Sequence, residues 1–297
     1  MDHKAYLLDP GIKFINNRYY FNKNNQVVTD SKTLTRLMKY KPPPAWNNVW
    51  YSSKPRCHIQ VYGTDVGGKK QYILSEEWVK NSKSEKFNRM KKFIKSIHGF
   101  KKKIKLEKVI INHDTIVKLL FNLLIDLHIR VGNEIYVPNS YGLTTLRQKH
   151  LRLVDNHFQF KFIGKSGIEH TIPIPEIYTP WFWKLKNENK NAKLFQEISS
   201  DELNVFLKQN MGKEYTCKDF RTYSANMLFI KSFLKNSKRS ENPKKIVLRS
   251  IDDSAQQLGH TRSISRKSYI SENLVDYCID SFQEASQLSS INLLLRT

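Results

Sequence analysis

Gln71-Tyr72-Ile73-Leu74-Ser75-Glu76-Glu77-Trp78-Val79-Lys80-Asn81-Ser82-Lys83-Ser84-Glu85-Lys86-Phe87-Asn88-Arg89-Met90-Lys91-Lys92-Phe93-Ile94 is where the hydrophobic period of this chain changes. Upstream, the apolar residues come in short strand-like runs. Downstream, Phe87, Met90, Phe93, Ile94 and Ile97 recur at helical spacing as far as Gly99, with Lys86, Arg89, Lys91, Lys92 and Lys95 on the remaining surface. The polar stretch between the two patterns, residues 79–85, reads as a hinge. The fold class that follows is α+β. A small β-rich domain is expected over residues 1–78, and a larger, mainly α-helical domain over residues 86–297 that also carries a three-stranded antiparallel sheet.

Working back from this stretch, Gln71 to Leu74 pairs with His58-Ile59-Gln60-Val61-Tyr62 across a Gly-rich turn, as a hairpin does. That turn, Gly63-Thr64-Asp65-Val66-Gly67-Gly68-Lys69-Lys70, comes within one residue of a nucleotide-binding P-loop. Lys70 stands where the Mg²⁺-binding Ser or Thr belongs, and a strand follows where a helix is required, so a basic hairpin turn is the better reading. Residues 11 to 28 give further short strands around Asn-Asn pairs.

Working forward, Ile116, Leu119, Leu120, Leu123, Leu124 and Leu127 form the stripe of a buried helix that delivers Arg130 at its end. Leu151–Val154, Phe158–Phe162 and Ile168–Ile174 read as the antiparallel sheet, with turns at Asp155-Asn156 and at residues 164–167, the second carrying Lys165. Helices are expected over Phe220–Leu234, Ser254–Leu258 and Leu288–Leu295, with loops at residues 236–244 and 259–265.

Lys and Arg number 50 against 27 Asp and Glu, a formal net charge of +23. A surplus of that size attracts polyanions, and nucleic acid is the leading partner. The chain reads as a soluble intracellular protein with no membrane partner: no secretory stretch follows Met1-Asp2-His3-Lys4, and Lys118, Asn122 and Asp126 interrupt the most apolar segment. Cys57, Cys217 and Cys278 lie too far apart for a disulfide framework or a short-spaced metal knuckle. The nine histidines form no His-x-x-x-His pair. Neither a metal nor a cofactor is expected.

Several segments occur in a telling order: Ile129-Arg130-Val131-Gly132, Gly142-Leu143-Thr144-Thr145-Leu146, Lys161-Phe162-Ile163-Gly164-Lys165, Lys218-Asp219-Phe220-Arg221-Thr222-Tyr223, and Leu258-Gly259-His260-Thr261-Arg262-Ser263-Ile264-Ser265 followed by Arg266-Lys267-Ser268-Tyr269. In sequence and spacing they resemble the catalytic core of the small, poxvirus-like type IB DNA topoisomerases. Gly63-Thr64-Asp65 with Lys69-Lys70-Gln71-Tyr72 is similar to that family's DNA-clamping hairpin. The resemblance is loose over the first 60 residues and the last 25.

The resemblance implies that Tyr269 is a nucleophile which nicks one strand of duplex DNA, leaving a 3′-phosphotyrosyl bond and a free 5′ hydroxyl. It implies the same residue types that the chemistry demands. A phenol, with a reference pKa near 10, attacks an already anionic phosphodiester poorly, so cations are required. Arg130, Arg221 and His260 would hold the non-bridging oxygens, and Lys165 would protonate the departing 5′ oxygen. Because one ester replaces another, resealing needs no ATP, and these side chains do what metals do in other enzymes. Lys69, Lys70, Gln71, Tyr72, Tyr136, Thr145, Lys218, Ser263 and Ser265 are the expected DNA contacts. The family implies a monomer that clamps duplex DNA, and a large DNA virus as source, with the virion and the site of viral DNA replication or transcription as its location and a bacterium as the alternative.

The chain departs from the poxvirus pattern at Asn133, where a Lys is usual, at Ser166, where an acidic residue follows the hairpin lysine, and at Leu74, which replaces an aromatic. These bear on sequence preference, since base-edge contacts specify while phosphate contacts position. Tyrosine recombinases share the same five-residue logic and stand as the alternative. Lys218, where they open the box with His, and the β-rich first domain argue against them. A non-catalytic architectural DNA-binding protein is the other alternative that the charge permits.

Overall fold

The computed structural model describes residues 9–239 and 241–296. The leader reading at Met1 to Lys4 lies outside them. The chain separates into two compact units, Met1–Lys86 and Phe87–Thr297.

In the first unit, β1 (Ile12–Ile15), β2 (Arg18–Phe21), β3 (Asn47–Tyr51), β4 (Ile59–Thr64) and β5 (Lys70–Leu74) form an antiparallel sheet in the order β2-β1-β3-β4-β5. The β1–β2 hairpin turns on Asn16 and Asn17, at φ 47° and 61°, the left-handed pair that a tight two-residue turn requires and that Asn tolerates. Ile12, Tyr19, Val28, Leu37, Tyr51 and Val61 make the core of this unit. One helix here was not read from the sequence. It is α1 (Ser31–Lys39), capped where Thr33 N donates to Asp30 Oδ2 at 2.7 Å.

The residues expected as a hinge are helical. Helix α2 spans Glu76–Lys103 without a break and takes in residues 79–85. A run of Lys, Ser, Asn and Glu that contains neither Pro nor Gly has only a modest propensity cost and continues a helix once neighbouring turns have nucleated it. Polarity alone therefore did not mark an end.

In the second unit α3 (His113–Asp126) starts at an Asn112–Thr115 capping box and buries its apolar stripe as the spacing predicts. Strands β6 (Leu151–Val154), β7 (His157–Ile163) and β8 (Glu169–Pro173) form the expected three-stranded antiparallel sheet in that order. Its turns fall at Asp155-Asn156 and around Lys165. Then follow α4 (Thr179–Leu185), α5 (Ser200–Asn210), α6 (Cys217–Asn236), α7 (Pro243–Gln257), α8 (Arg262–Ser268), α9 (Glu272–Asp280), α10 (Phe282–Gln287) and α11 (Ser290–Arg296). The architecture is the α+β class expected.

Helix α8 occupies most of the expected loop 259–265. Thr261 caps it by accepting from Ile264 N at 3.2 Å, so the Ser- and Thr-rich sequence that suggested a loop is in part an N-terminal helix signal. The core joins α2, α3 and α6 through edge-on aromatic pairs, with Phe93 and Phe220 at 5.0 Å and Phe100 and Phe121 also at 5.0 Å between ring centroids. Among the described residues no helix is long and apolar enough to cross a membrane.

Candidate active site

Arg130 leaves α3 through a sharp bend. Leu127 ends the helix, and His128 adopts φ 54°, a left-handed conformation that a non-glycine residue holds at some cost. The His128 ring is fixed by its Nδ1 lying 2.9 Å from Ser224 Oγ, and its carbonyl accepts from Arg221 Nη1. Beyond Arg130, Leu143 N donates to Arg130 O at 2.8 Å and Thr144 N to Val131 O at 2.7 Å. That approach needs two glycines, because a β-carbon on Gly142 would sit 2.6 Å from Gly132 Cα.

Arg221 projects from α6 and is buried at 8% exposure. It donates to the carbonyls of His128 and Leu258, while its Nε is buried with no hydrogen-bond partner among the described residues. Its Nη2 lies 3.1 Å from His260 Nε2, and Arg130 Nη2 lies 2.9 Å from the same nitrogen. Both guanidiniums thus converge on one imidazole atom, an arrangement that requires that nitrogen to be an acceptor. His260 Nδ1 lies 3.3 Å from Ser265 Oγ. Burial, reinforced by Arg221 and Arg130, holds the His260 imidazole down at about 3, so it is neutral at physiological pH. Burial and then the Arg130 charge push Arg221 down to about 9.

Tyr269 follows the last turn of α8, its ring stacked on His260 with centroids 4.5 Å apart and planes 20° apart. A residue that the sequence did not single out anchors it. Asn226, on α6 five residues after Arg221 and fully buried, donates from Nδ2 to Tyr269 O at 2.9 Å and accepts from Ser271 N at 3.0 Å. A lone Asn within an apolar helix face is the signal that could have found it, since such a side chain must be satisfied where it lies.

Lys165 lies in the β7–β8 turn and lines a small pocket together with Arg130, Gly164, His170, Arg221 and Tyr141. The structure therefore groups Arg130, Arg221, His260 and Tyr269 directly and places Lys165 in a pocket that Arg130 and Arg221 share.

The other expected contacts divide. Tyr136 is 51% exposed, and Lys218 and Ser263 face solvent. Thr145 is 2% exposed and spends its hydroxyl on Gly142 N at 2.9 Å and Gly142 O at 3.0 Å, while Ser265 is fully buried beside His260. The hydroxyls of these two face the framework, a direction that spacing does not encode. Asn133 likewise caps the turn after Arg130 by accepting from Ile135 N at 2.9 Å, and Ser166 takes φ 66° in the lysine turn.

In the first unit Lys69, Lys70 and Tyr72 are exposed on the hairpin. Gln71 is half-buried, and its amide donates to Asp65 Oδ2 at 2.7 Å. Lys70 Nζ sits 3.9 Å from the centroid of the Tyr62 ring, and β5 continues as strand directly after the glycine-rich turn.

Three histidines, His150 buried and His128 and His260 partly buried, set an acid limit on stability. His128 and His150 are held at about 4 and His260 at about 3, in each case first by burial. Each folded value lies below the unfolded reference near 6.5, so the folded state binds fewer protons between the two. The stability they confer is complete above about pH 6.5 and is lost as pH falls towards about 4. Thermal melts followed by circular dichroism are expected to show a midpoint that drops steadily across that window. A flat midpoint would mean that these rings are not held neutral.

Residues 75–290 match the family model of the eukaryotic DNA topoisomerase I catalytic core, and residues 18–65 that of the bacterial DNA topoisomerase IB N-terminal domain. DNA topoisomerase 1B of Acanthamoeba polyphaga mimivirus is 35% identical over 92% of this chain and 85% of its own length. DNA topoisomerase 1B of vaccinia virus (strain Copenhagen) is 28% identical over 86% of this chain and 85% of its own. DNA topoisomerase 1 beta of Arabidopsis thaliana is 28% identical over 47% of this chain and 16% of its own.

Proposed function

The chain belongs to the type IB DNA topoisomerases, isomerases that act on DNA, and from that premise we propose that it relaxes supercoiled duplex DNA through Tyr269 without ATP or metal. The observation that carries this reading is the sharing of His260 Nε2 by Arg130 and Arg221, with Tyr269 stacked on the same ring. Without DNA, a neutral imidazole nitrogen is the acceptor for two guanidiniums. A non-bridging phosphate oxygen is a far better one, being anionic. On binding, the two arginines turn their donors to the phosphate, and the negative charge relieves their mutual repulsion.

In the chemical step the Tyr269 Oη–phosphorus bond forms, the phosphorus–O5′ bond breaks and the phenolic proton passes to solvent. The Lys165 ammonium gives its proton to O5′. Arg130 and Arg221 stabilise the added charge of the pentacoordinate transition state, joined by His260 once its ring proton has moved to Nε2 and Nδ1 accepts from the Ser265 hydroxyl. The cut end rotates, and attack by the 5′ hydroxyl on the phosphotyrosyl ester reverses every step. The enzyme acts as a monomer on one duplex, with Lys69, Lys70, Tyr72, Tyr136, Lys218 and Ser263 as the solvent-facing contacts to it.

The test is relaxation of negatively supercoiled plasmid in EDTA without nucleotide. Expected is a ladder of topoisomers that collapses to the relaxed form, with a rate that falls steeply as salt rises, because each phosphate contact released recovers a counterion. Relaxation that appears only when Mg²⁺ or ATP is added would overturn the mechanism.

A further inference from the structure

Lys165 sits on a turn that is tied mainly to itself. Gly164 N donates to Ile168 O at 2.8 Å and Gly167 N to Gly164 O at 3.2 Å, while Tyr141 N reaches Ile163 O at 2.9 Å just before the turn. These bonds shape the hairpin, and residues 165–168 are exposed. A lysine that must place its ammonium on one oxygen atom needs its turn seated against the rest of the site.

His170 does this. It lies opposite Phe162 in the β7–β8 register, with the two rings stacked at 5.2 Å and 24°. The imidazole is wedged between two glycine backbones. A β-carbon on Gly164 would lie 2.7 Å from His170 Cδ2 and 2.8 Å from Nε2, and one on Gly259 would lie 2.7 Å from Cε1. No side chain larger than hydrogen fits at either contact without displacing the ring. Gly164 immediately precedes Lys165, and Gly259 immediately precedes His260. The ring also lines the pocket shared by Arg130, Lys165 and Arg221.

We propose that His170 is a positioning residue that seats the Lys165 hairpin against the Gly259-His260 loop and so holds the leaving-group acid in register with the phosphate-binding groups. The inference rests on the role given to Lys165 above. Misplacing a reacting group by about 1 Å costs on the order of 10²-fold in rate, and the loss should fall on the step that uses Lys165.

The experiment is single-turnover strand cleavage of a duplex whose site has been mapped with the wild-type enzyme. Two versions are compared: the ordinary 5′-bridging oxygen and a 5′-bridging sulfur. A thiolate leaves without a proton, so the sulfur substrate does not need the acid. His170→Ala should cleave the oxygen substrate about 10²-fold more slowly than wild type, and the sulfur substrate at the wild-type rate. Gly164→Ala, whose new β-carbon strikes the same ring, should reproduce both results and serves if the first variant folds poorly. The double variant should be no slower than either single one, because both remove one contact.

Wild-type cleavage of the oxygen substrate by both single variants overturns the proposal, as does a defect that sulfur fails to relieve. Lys165→Ala runs alongside. If sulfur restores Lys165→Ala and not His170→Ala, the inference about His170 alone fails. If sulfur does not restore Lys165→Ala, Lys165 is not the acid, and the inference falls with it.

Discussion

Tyr269→Phe is expected to abolish plasmid relaxation and the covalent protein–DNA adduct while binding duplex as the wild type does. The substitution deletes one oxygen and leaves the rest of the local structure in place. The phenyl ring still stacks on His260, Tyr269 N still donates to Ser265 O at 3.0 Å, and Asn226 still holds the backbone carbonyl. The cost to stability should therefore be small, about 1 kcal/mol for a lost hydroxyl interaction. The cost to rate should be at least about 10⁴-fold, because in the proposed mechanism removing the Tyr269 hydroxyl closes the covalent path and leaves only what the binding groups can do with water. The measurement is a topoisomer gel beside a denaturing gel for the trapped adduct, with filter binding to confirm affinity. Residual relaxation by the variant would place the nucleophile elsewhere, and unchanged behaviour in every assay would favour an architectural DNA-binding role.

The parts of the molecule legible in sequence are those whose signal is local. The β7–β8 hairpin alternates Phe158, Phe160 and Phe162 inward, and α3 repeats its leucines at helical spacing, so period alone predicts both. Helix α1 has only Leu34, Leu37 and Met38 as large apolar residues in nine, and one of these, Leu37, is buried. Such a helix is specified by its Asp30 cap and by the sheet beneath it, which periodicity does not report. Residues 79–85, read as a hinge from their polarity, are helical, because a helix is ended by Pro, Gly or a cap and not by charge.

The candidate site divides in the same way. Arg130, Lys165, Arg221, His260 and Tyr269 stand out because each lies in a recognisable segment. The groups that orient them do not. His128 acts through its carbonyl, Asn226 through contacts to Tyr269 and Ser271 more than forty residues away, and His170 through two glycines distant from each other in sequence. Tertiary contacts of this kind leave no spacing to read. Thr145 and Ser265 show the reverse limit, since a resemblance supplies a position and the fold decides which way the side chain faces.

Arg221 is expected to be the most sensitive of the cationic residues, and Arg221→Lys separates the reasons. The guanidinium spans the His128 and Leu258 carbonyls and still presents Nη2 at the His260 position. Arg221→Ala leaves both carbonyls without that donor in a buried site, at about 1–3 kcal/mol each, so the melting midpoint should fall. In the proposed mechanism it also removes a transition-state donor, for which a loss of about 10²–10³-fold in strand cleavage is the usual scale. Lysine restores the charge as a single point with one short reach, so it can satisfy a carbonyl or the phosphate but cannot fork across them. Arg221→Lys should therefore regain part of the lost stability and little of the lost rate.

A second consequence is electrostatic. After burial, Arg221 is the largest influence depressing His260, so in Arg221→Ala the His260 ring should titrate at a higher pH than in the wild type, as followed by NMR of the labelled imidazole. Arg221→Lys should leave the ring depressed, because the charge remains. If Arg221→Lys instead cleaves DNA at close to the wild-type rate, charge alone suffices at this position, and the two-armed geometry around His260 Nε2 is not what the phosphate step uses.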